Sequence, residues 1–183
     1  MVDYWRQIST GPDPPNIINV VVEMTKGSQN KYEYDKEVGG FRLDRVLYTF
    51  FPCDYGFVPQ TLDDDGDPLD AILLINQPTF TGCIVIARPI GIMRMLDEGR
   101  EDDKILAVSI TDPYYKQIVD ITDVPDALVK ELTHFFNHYK KVEGKETKVL
   151  EWRGVVEAKR LIEKNMNSYK KKGEDQKTAR RSF

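Results

Sequence analysis

Residues 17–24 read Ile-Ile-Asn-Val-Val-Val-Glu-Met, and the alternation in this stretch decides how the first part of the chain folds. One phase of the stretch is apolar and consists of Ile18, Val20, Val22 and Met24. The other phase consists of Asn19, Val21 and Glu23. Successive side chains of a β-strand point to opposite faces, so this period of two predicts a strand.

Further strand patterns follow on the C-terminal side of this stretch. They are predicted at 31–35, 41–48, 70–75, 83–95 and 105–109. Within 41–48, Arg45 shares the phase of the apolar residues Phe41 and Leu43, so an arginine occupies a position predicted to face inward. Because burying an unpaired guanidinium is very costly, Arg45 is expected to meet an anionic partner, and a ligand anion is one candidate.

The last third of the chain changes to a helical period. One apolar stripe, on a helix that begins near Pro125, consists of Leu128, Leu132, Phe135, Phe136 and Tyr139. A second stripe consists of Val155, Ala158, Leu161, Ile162 and Tyr169. Many strands followed by two helices predict an α+β domain, most simply a small closed or nearly closed β-barrel with helices packed outside. We expect one domain over 1–169 and a basic, mobile tail over 170–183.

Composition and charge exclude several classes of protein. The chain has 183 residues, 40% of them hydrophobic, and a net charge of -4, which fits one soluble domain with its own core. No apolar run approaches the roughly 20 residues of a membrane span. The N-terminus does not read as a secretory signal, and Cys53 and Cys83 are interpreted as reduced thiols, so a cytoplasmic location without a membrane partner is expected. The chain is acidic outside its C-terminal tail, which argues against nucleic-acid binding.

Acidic residues are concentrated in two runs, each near a strand end. Residues 63–70 read Asp-Asp-Asp-Gly-Asp-Pro-Leu-Asp, and residues 97–104 read Asp-Glu-Gly-Arg-Glu-Asp-Asp-Lys. Carboxylates held this close repel one another unless they are protonated or bind a hard divalent cation such as Mg²⁺ or Ca²⁺. A single acidic run is more typical of a solvated loop, but two runs at strand ends favour one multi-metal site.

Other metal and cofactor motifs fail on spacing. When Thr61 is counted as the first position of an EF-hand loop, the twelfth position is Ile72, where an acidic residue is required. His134 and His138 are four residues apart, but Phe135 follows where a zinc protease needs glutamate, so packing or subunit contacts are favoured for both histidines. The chain contains no Walker-type loop, nucleophile elbow or glycine-rich dinucleotide motif.

Cations stand beside the acidic segments. Lys31 shares a predicted strand face with Glu33, Lys104 ends the second acidic run, and Lys140 follows Tyr139. Each lysine alone is more typical of a solvated surface. Together with the two acidic runs they predict a site of mixed sign, with carboxylates for metal ions and cations with tyrosine hydroxyls for a polyanion. Phosphoryl transfer to water requires that combination.

Several segments together resemble a known family. Residues 65–70 (Asp-Gly-Asp-Pro-Leu-Asp) resemble the signature of the family I soluble inorganic pyrophosphatases. The other matching segments follow in the family's order: 31–33, 44–45, 52–59, 88–91, 97–98 with Asp102 and Lys104, and 134–136 with 138–140. The resemblance covers roughly 17–169 and is closest to prokaryotic members. It implies a five-stranded OB-like β-barrel flanked by two main helices.

The resemblance also implies a reaction and an assembly. It implies hydrolysis of inorganic diphosphate to two phosphates by metal-activated water, with several Mg²⁺ ions per site and Mn²⁺ as an alternative metal. It further implies a homohexamer, with the helix that carries His134 and His138 at subunit contacts.

Residue roles are implied only where the segments match. The implied metal ligands are Asp65, Asp70, Asp97 and Asp102, with Glu23 and Glu33 acting through water. Asp67 is implied as the general base, with Tyr55 and Arg45 also taking part in catalysis. The residues implied to bind the phosphates are Lys31, Arg45, Tyr55, Lys104, Tyr139 and Lys140.

One position departs from the family pattern, and two other functions stay open. Phe51 stands where the family usually has a tyrosine, and the segment 45–52 is two residues shorter than in the family. A hydroxyl that contacts phosphate is therefore lost. This loss bears on the efficiency of catalysis more than on the type of reaction. One alternative is a catalytically silent metal-binding or scaffolding protein, and Phe51 is the only sequence feature that favours it. A nucleic-acid-binding barrel is the other alternative, although it needs exposed aromatic residues among cations where this chain has acids.

Overall fold

The computed structural model describes the backbone of residues 2–181 and the side chains of residues 2–174. In this part of the chain the strands are β1 (Ile18–Met24), β2 (Asn30–Asp35), β3 (Gly40–Val46), β4 (Asp54–Phe57), β5 (Asp70–Leu74), β6 (Ile84–Asp97), β7 (Arg100–Glu101), β8 (Lys104–Ser109) and β9 (Thr147–Gly154). The α-helices are α1 (Asp126–His138) and α2 (Val155–Arg181), and 3₁₀ turns occur at Pro113–Tyr115, Ile121–Asp123 and Lys141–Glu143.

Five strands form a closed ring. β1 pairs with β4, β4 pairs with β5, β5 runs parallel to β8, β8 pairs with β6, and β6 returns to β1. The 14-residue β6 also pairs with β7 and β9, whereas β2 and β3 form a separate two-stranded hairpin. The predicted α+β class, with a ring of five strands and two helices, is confirmed.

Two apolar clusters fix the helices against the sheet. On one side Leu132 and Phe136 of α1 pack with residues of the ring such as Leu106. On the other side Ala158 and Ile162 of α2 pack with the first strand and its neighbours. Burying one large apolar side chain stabilises the fold by about 1.5–3 kcal/mol, so the helical stripes predicted from the sequence hold both helices in place.

Close approach of β4 to β1 requires a glycine. A Cβ atom at Gly56 would lie only 1.8 Å from the carbonyl oxygen of Val21. Glycine at this position therefore lets the two strands pair, and the pairing sets the position of the neighbouring Tyr55.

The strand predictions agree with the structure within a few residues, but three strands of the described residues have no counterpart among them. These are β4, β7 and β9. β4 is four residues long and contains an aspartate and a glycine, and β9 carries charged residues at several positions, so neither has a clean apolar period. Both form because the neighbouring strands of the main sheet offer them backbone partners.

The inward orientation predicted for Arg45 is wrong. Leu43, in the same phase, is 52% exposed, and Arg45 is only half-buried. The reason is that β3 belongs to the hairpin outside the ring, so neither of its faces is covered along its whole length.

The C-terminal segment continues the second helix. α2 extends through residues 170–181, and Ser182 and Phe183 lie outside the described residues. The boundary at residue 169 and the mobility of the tail stay predictions. No helix in the described part of the chain combines the length and the apolar character that crossing a membrane requires.

Candidate active site

A pocket of about 460 Å³ brings together the residues of the two acidic runs. Twelve of the thirteen predicted site residues line it, namely Glu23, Lys31, Glu33, Tyr55, Asp65, Asp67, Asp70, Asp97, Asp102, Lys104, Tyr139 and Lys140. Arg45 does not. A larger pocket of about 580 Å³, beside Lys141 and Lys145, contains none of the predicted site residues.

The central charged groups of the pocket lie at the ends of neighbouring strands. Asp70 begins β5 and Lys104 begins β8, and these strands are parallel neighbours with Ala71 opposite Ile105. Their first residues therefore lie at the same edge of the ring. The long β6 ends at Asp97 next to them, and Asp102 lies in the turn that leads into β8. This topology brings residues from both acidic runs to one place.

Lys104 is the cation at the centre of the pocket. Its side chain is 2% exposed, and its Nζ lies 2.7 Å from Oδ2 of Asp70 and 2.8 Å from Oδ1 of Asp102. Burial alone would lower the pKa of Lys104, but the two carboxylates raise it well above its usual value. Burial raises the pKa of Asp102 more than Lys104 lowers it, and Asp70 adds to the rise. Lys104 therefore stays charged, and the carboxylates around it still repel one another.

Three tyrosines line the pocket, and two of them, Tyr55 and Tyr139, are buried beside its central charges. The Tyr55 hydroxyl donates a hydrogen bond to Asp70, and burial together with the charges of Asp70 and Asp102 raises its pKa well above the usual value. Burial also raises the pKa of Tyr139, although Lys104 opposes the rise. Both hydroxyls therefore keep their protons and can donate hydrogen bonds to an anion.

Phe51 packs against the ring of Tyr55. The ring of Phe51 is 3% exposed and lies 5.9 Å from the ring of Tyr55 and 4.9 Å from that of Phe135, centre to centre. Phe51 is not among the residues that line the pocket. In this chain the position that departs from the family pattern is therefore part of the apolar core.

Three more lysines pair with carboxylates at the pocket wall. Lys140 contacts Asp97, Lys31 contacts Glu33, and Lys36 contacts Asp67. Sequence reasoning missed Lys36, because the residue follows β2 in a turn and nothing in its local pattern connects it with residue 67. The contact exists only because the hairpin folds over the acidic loop.

Arg45 lies one ion pair away from the pocket. Its Nε donates to Oε1 of Glu143 at 2.9 Å, and its NH1 group donates to Oδ2 of Asp44 at 2.5 Å. The same Asp44 oxygen lies 3.3 Å from Nζ of Lys31, which does line the pocket. The anionic partners expected for Arg45 are thus found, but they are protein carboxylates.

The donor set of the pocket fits hard divalent cations. Ten acidic side chains line the pocket against four lysines. One buried oxygen of the pocket, Oδ1 of Asp97, has no hydrogen-bond partner among the described residues. Burial raises the pKa of Glu23 to about 8, even though the backbone N–H of Tyr34 donates to this carboxylate at 2.7 Å. A hard cation such as Mg²⁺ neutralises excess carboxylate charge and coordinates unpartnered carboxylate oxygens.

The carboxylates are nevertheless spread around the pocket and held by lysines. Among the side chains that the structure describes, no three acidic, histidine or cysteine residues are close enough together to share one ion. Metal binding therefore requires some carboxylates to turn away from their lysine partners.

Comparison with known proteins relates this chain to inorganic pyrophosphatases. Residues 20–170 match a family model described as inorganic pyrophosphatase. An inorganic pyrophosphatase from Haloferax volcanii is 46% identical over 172 residues, which cover 92% of this chain and 97% of the relative. One from Nostoc sp. is 48% identical over 158 residues, 85% of this chain and 94% of the relative. The crystal structure of inorganic pyrophosphatase from Thermus thermophilus aligns with a TM-score of 0.89 at 38% identity, covering 92% of this chain and 99% of that one.

Proposed function

Because this chain belongs to the inorganic pyrophosphatase family, we propose that its pocket hydrolyses inorganic diphosphate to two phosphates with the help of Mg²⁺. The chain is thus an enzyme, an inorganic diphosphatase. The observation that carries the site assignment is the pocket in which ten acidic side chains meet four lysines and the neutral hydroxyls of Tyr55 and Tyr139. Acids alone would bind metal, and cations alone would bind an anion. Diphosphate hydrolysis needs both.

The metal-binding part of the proposal rests on the acidic side of the pocket. The proposed ligands are Asp65, Asp70, Asp97 and Asp102, with Glu23 and Glu33 acting through water. When bound, Mg²⁺, or Mn²⁺ as an alternative, would acidify the attacking water and neutralise phosphate oxygens. The unpartnered oxygen of Asp97 supports its place in this set.

The remaining residues act either in proton transfer or in phosphate binding. Asp67 accepts a proton from the attacking water. At the same time the oxygen of the water bonds to one phosphorus, and the bridging P–O bond breaks. Lys31, Lys104 and Lys140 neutralise the charge that develops on the departing phosphate. The Tyr139 hydroxyl donates a hydrogen bond to a phosphate oxygen, and the Tyr55 hydroxyl does so by exchanging Asp70 for phosphate. Arg45 joins them by exchanging its carboxylate partners for phosphate.

The first prediction is metal-dependent hydrolysis. The purified chain should release phosphate from diphosphate in Mg²⁺, lose this activity in a chelator and regain it when Mg²⁺ is restored. A colorimetric phosphate assay measures the release, with Mn²⁺ as a second metal and fluoride as an expected inhibitor. A phosphomonoester serves as the control substrate and should be hydrolysed poorly. Release that persists after complete metal removal contradicts the proposal, as does a metal-loaded protein that releases no phosphate.

The second prediction concerns self-association into a homohexamer. The family resemblance suggests it, and exposed His134 and His138, whose rings lie 4.3 Å apart on α1, mark the surface concerned. Phe135 and Phe136 are buried within the chain and do not add to that surface. Histidines gain charge in mild acid, so an interface that contains this pair should loosen there.

Light scattering across pH tests the assembly. At neutral pH we expect a mass of about six times the 21.1 kDa of one chain, and smaller species in mild acid. The double variant His134→Gln/His138→Gln should remain assembled in mild acid. A monomer at neutral pH and micromolar concentration excludes the hexamer. The cytoplasmic location and the lack of nucleic-acid partners stay predictions.

A further inference from the structure

Lys36 links two parts of the pocket that are distant in sequence. It follows the last residue of β2, and its Nζ contacts the carboxylate of Asp67, 31 residues further along the chain. The same Nζ lies 3.4 Å from the carbonyl oxygen of Gly66. One ammonium group therefore holds both a side chain and the backbone of the acidic loop at 63–70.

Lys36 is itself held by the N-terminal segment. Its Nζ lies 5.1 Å from the centre of the Trp5 ring, a distance at which a cation is attracted to the ring face. Trp5 is 4% exposed, and its Nε1 donates to the carbonyl oxygen of Thr61 at 2.8 Å. The ammonium thus contacts both a fixed aromatic ring and the loop that carries Asp67.

Asp67 needs such a partner because it is otherwise poorly restrained. Its side chain is 58% exposed, whereas that of Lys36 is 34% exposed. A carboxylate at a loop surface can adopt several rotamers, and proton transfer requires the accepting oxygen to lie within hydrogen-bond reach of the water.

We propose that Lys36 is a positioning residue of the diphosphatase, which holds the Asp67 carboxylate in the orientation that accepts the proton. This inference rests on the function proposed above. Lys36 acts through Asp67 and does not touch the reacting atoms. The rival role is direct binding of a phosphate group by the same ammonium, since Lys36 also lines the pocket.

The chain offers a matched control on the same loop. Nζ of Lys164 lies 2.9 Å from Oδ2 of Asp64, and neither residue lines the pocket. Lys36→Ala should lower kcat about 10-fold and leave KM within about two-fold, because a misplaced catalytic group slows the chemical step without weakening substrate binding. Lys164→Ala should change both constants by less than about two-fold. Lys36→Arg should restore most of kcat, since arginine can also bind the Asp67 carboxylate.

Two further measurements separate positioning from phosphate binding. In an Asp67→Asn background, Lys36→Ala should lower kcat by less than about two-fold, because residues that act through one another are not additive. Calorimetric titration with methylenediphosphonate, a diphosphate analogue that is not hydrolysed, should give the same affinity for Lys36→Ala and the wild type. This second measurement does not depend on activity. Circular dichroism checks folding, and Lys36→Met replaces Lys36→Ala if the shorter side chain destabilises the protein.

Each alternative outcome overturns the inference in a distinct way. If Lys36→Ala raises KM, weakens analogue binding and keeps kcat, Lys36 binds phosphate directly. If Lys36→Ala behaves like Lys164→Ala, the contact with Asp67 has no role in the reaction. If the wild type in Mg²⁺ releases no phosphate, the proposed function itself fails, and that result is obtained before any variant is compared.

Discussion

Asp67→Asn is expected to lower kcat for diphosphate by about 10²-fold or more while leaving Mg²⁺ affinity nearly unchanged, the usual scale for deleting a general base. The amide keeps the shape of the side chain but no longer accepts the proton of the attacking water. Added Mg²⁺ should not recover the rate, because the missing function is not metal binding.

Asp70→Asn is the matched comparison, because both aspartates belong to the same loop and lose the same charge. Asp70 accepts hydrogen bonds from Lys104 and Tyr55 and is a proposed metal ligand. Its amide should weaken Mg²⁺ binding by about 10-fold or more, with part of the rate restored at high Mg²⁺. Calorimetric metal titration of both variants, set beside their rates over a range of Mg²⁺, decides the question. Equal losses of metal affinity would mean that Asp67 is another ligand.

Lys104→Met is expected to lower the free energy of unfolding by about 3 kcal/mol at neutral pH without metal, the scale found when one partner of a buried ion pair is removed. The change leaves Asp70 and Asp102 facing each other with no cation between them. Methionine keeps most of the volume of the lysine stem, so the effect comes from lost charge and not from a cavity. Mg²⁺ should restore part of the stability by supplying positive charge.

Chemical denaturation at fixed protein concentration, with and without Mg²⁺, measures the effect. Burial already raises the pKa of Asp102 in the wild type, and without the ammonium the rise becomes larger. A folded-state pKa above the unfolded value favours folding in acid, so the deficit of the variant should shrink as pH falls and grow as pH rises through that pKa. Lys145→Met, which removes an exposed pair with Glu98, is the control and should cost less than about 1 kcal/mol. A loss for Lys104→Met no greater than the control contradicts the central role of Lys104.

The sequence predicts four of the five ring strands and both hairpin strands, because these segments alternate, and it does not predict the short ring strand β4. In β1 the buried residues include Ile18, Val20 and Val22, as the alternation requires. Val21, in the other phase, is buried as well, because Trp5, Tyr34 and Phe57 cover that face. Alternation reports where a core lies on one side of a strand, but it does not report what a distant segment will place on the other side.

The candidate site, like the fold, can be predicted from the sequence only in part. The acidic runs and nearby lysines predict a site of mixed sign without any structure, and the family resemblance adds the individual roles. Lys36 and the Glu143 partner of Arg45 could not be predicted, because each contact joins segments that only the folded hairpin brings together. The pattern of period two predicts an inward Arg45 because it does not distinguish a strand of the ring from a strand of an isolated hairpin.

The place of β8 in the ring has a consequence for synthesis of the chain. β8 is the last of the five ring strands to leave the ribosome, yet it lies between β5 and β6, which precede it. Until it emerges, the nascent chain presents two open strand edges that can pair with neighbouring chains, so a polypeptide interrupted before this point is prone to aggregate. Lys104 is the first residue of that strand. The event that closes the ring during biosynthesis is therefore also the event that delivers the central ammonium to its carboxylates.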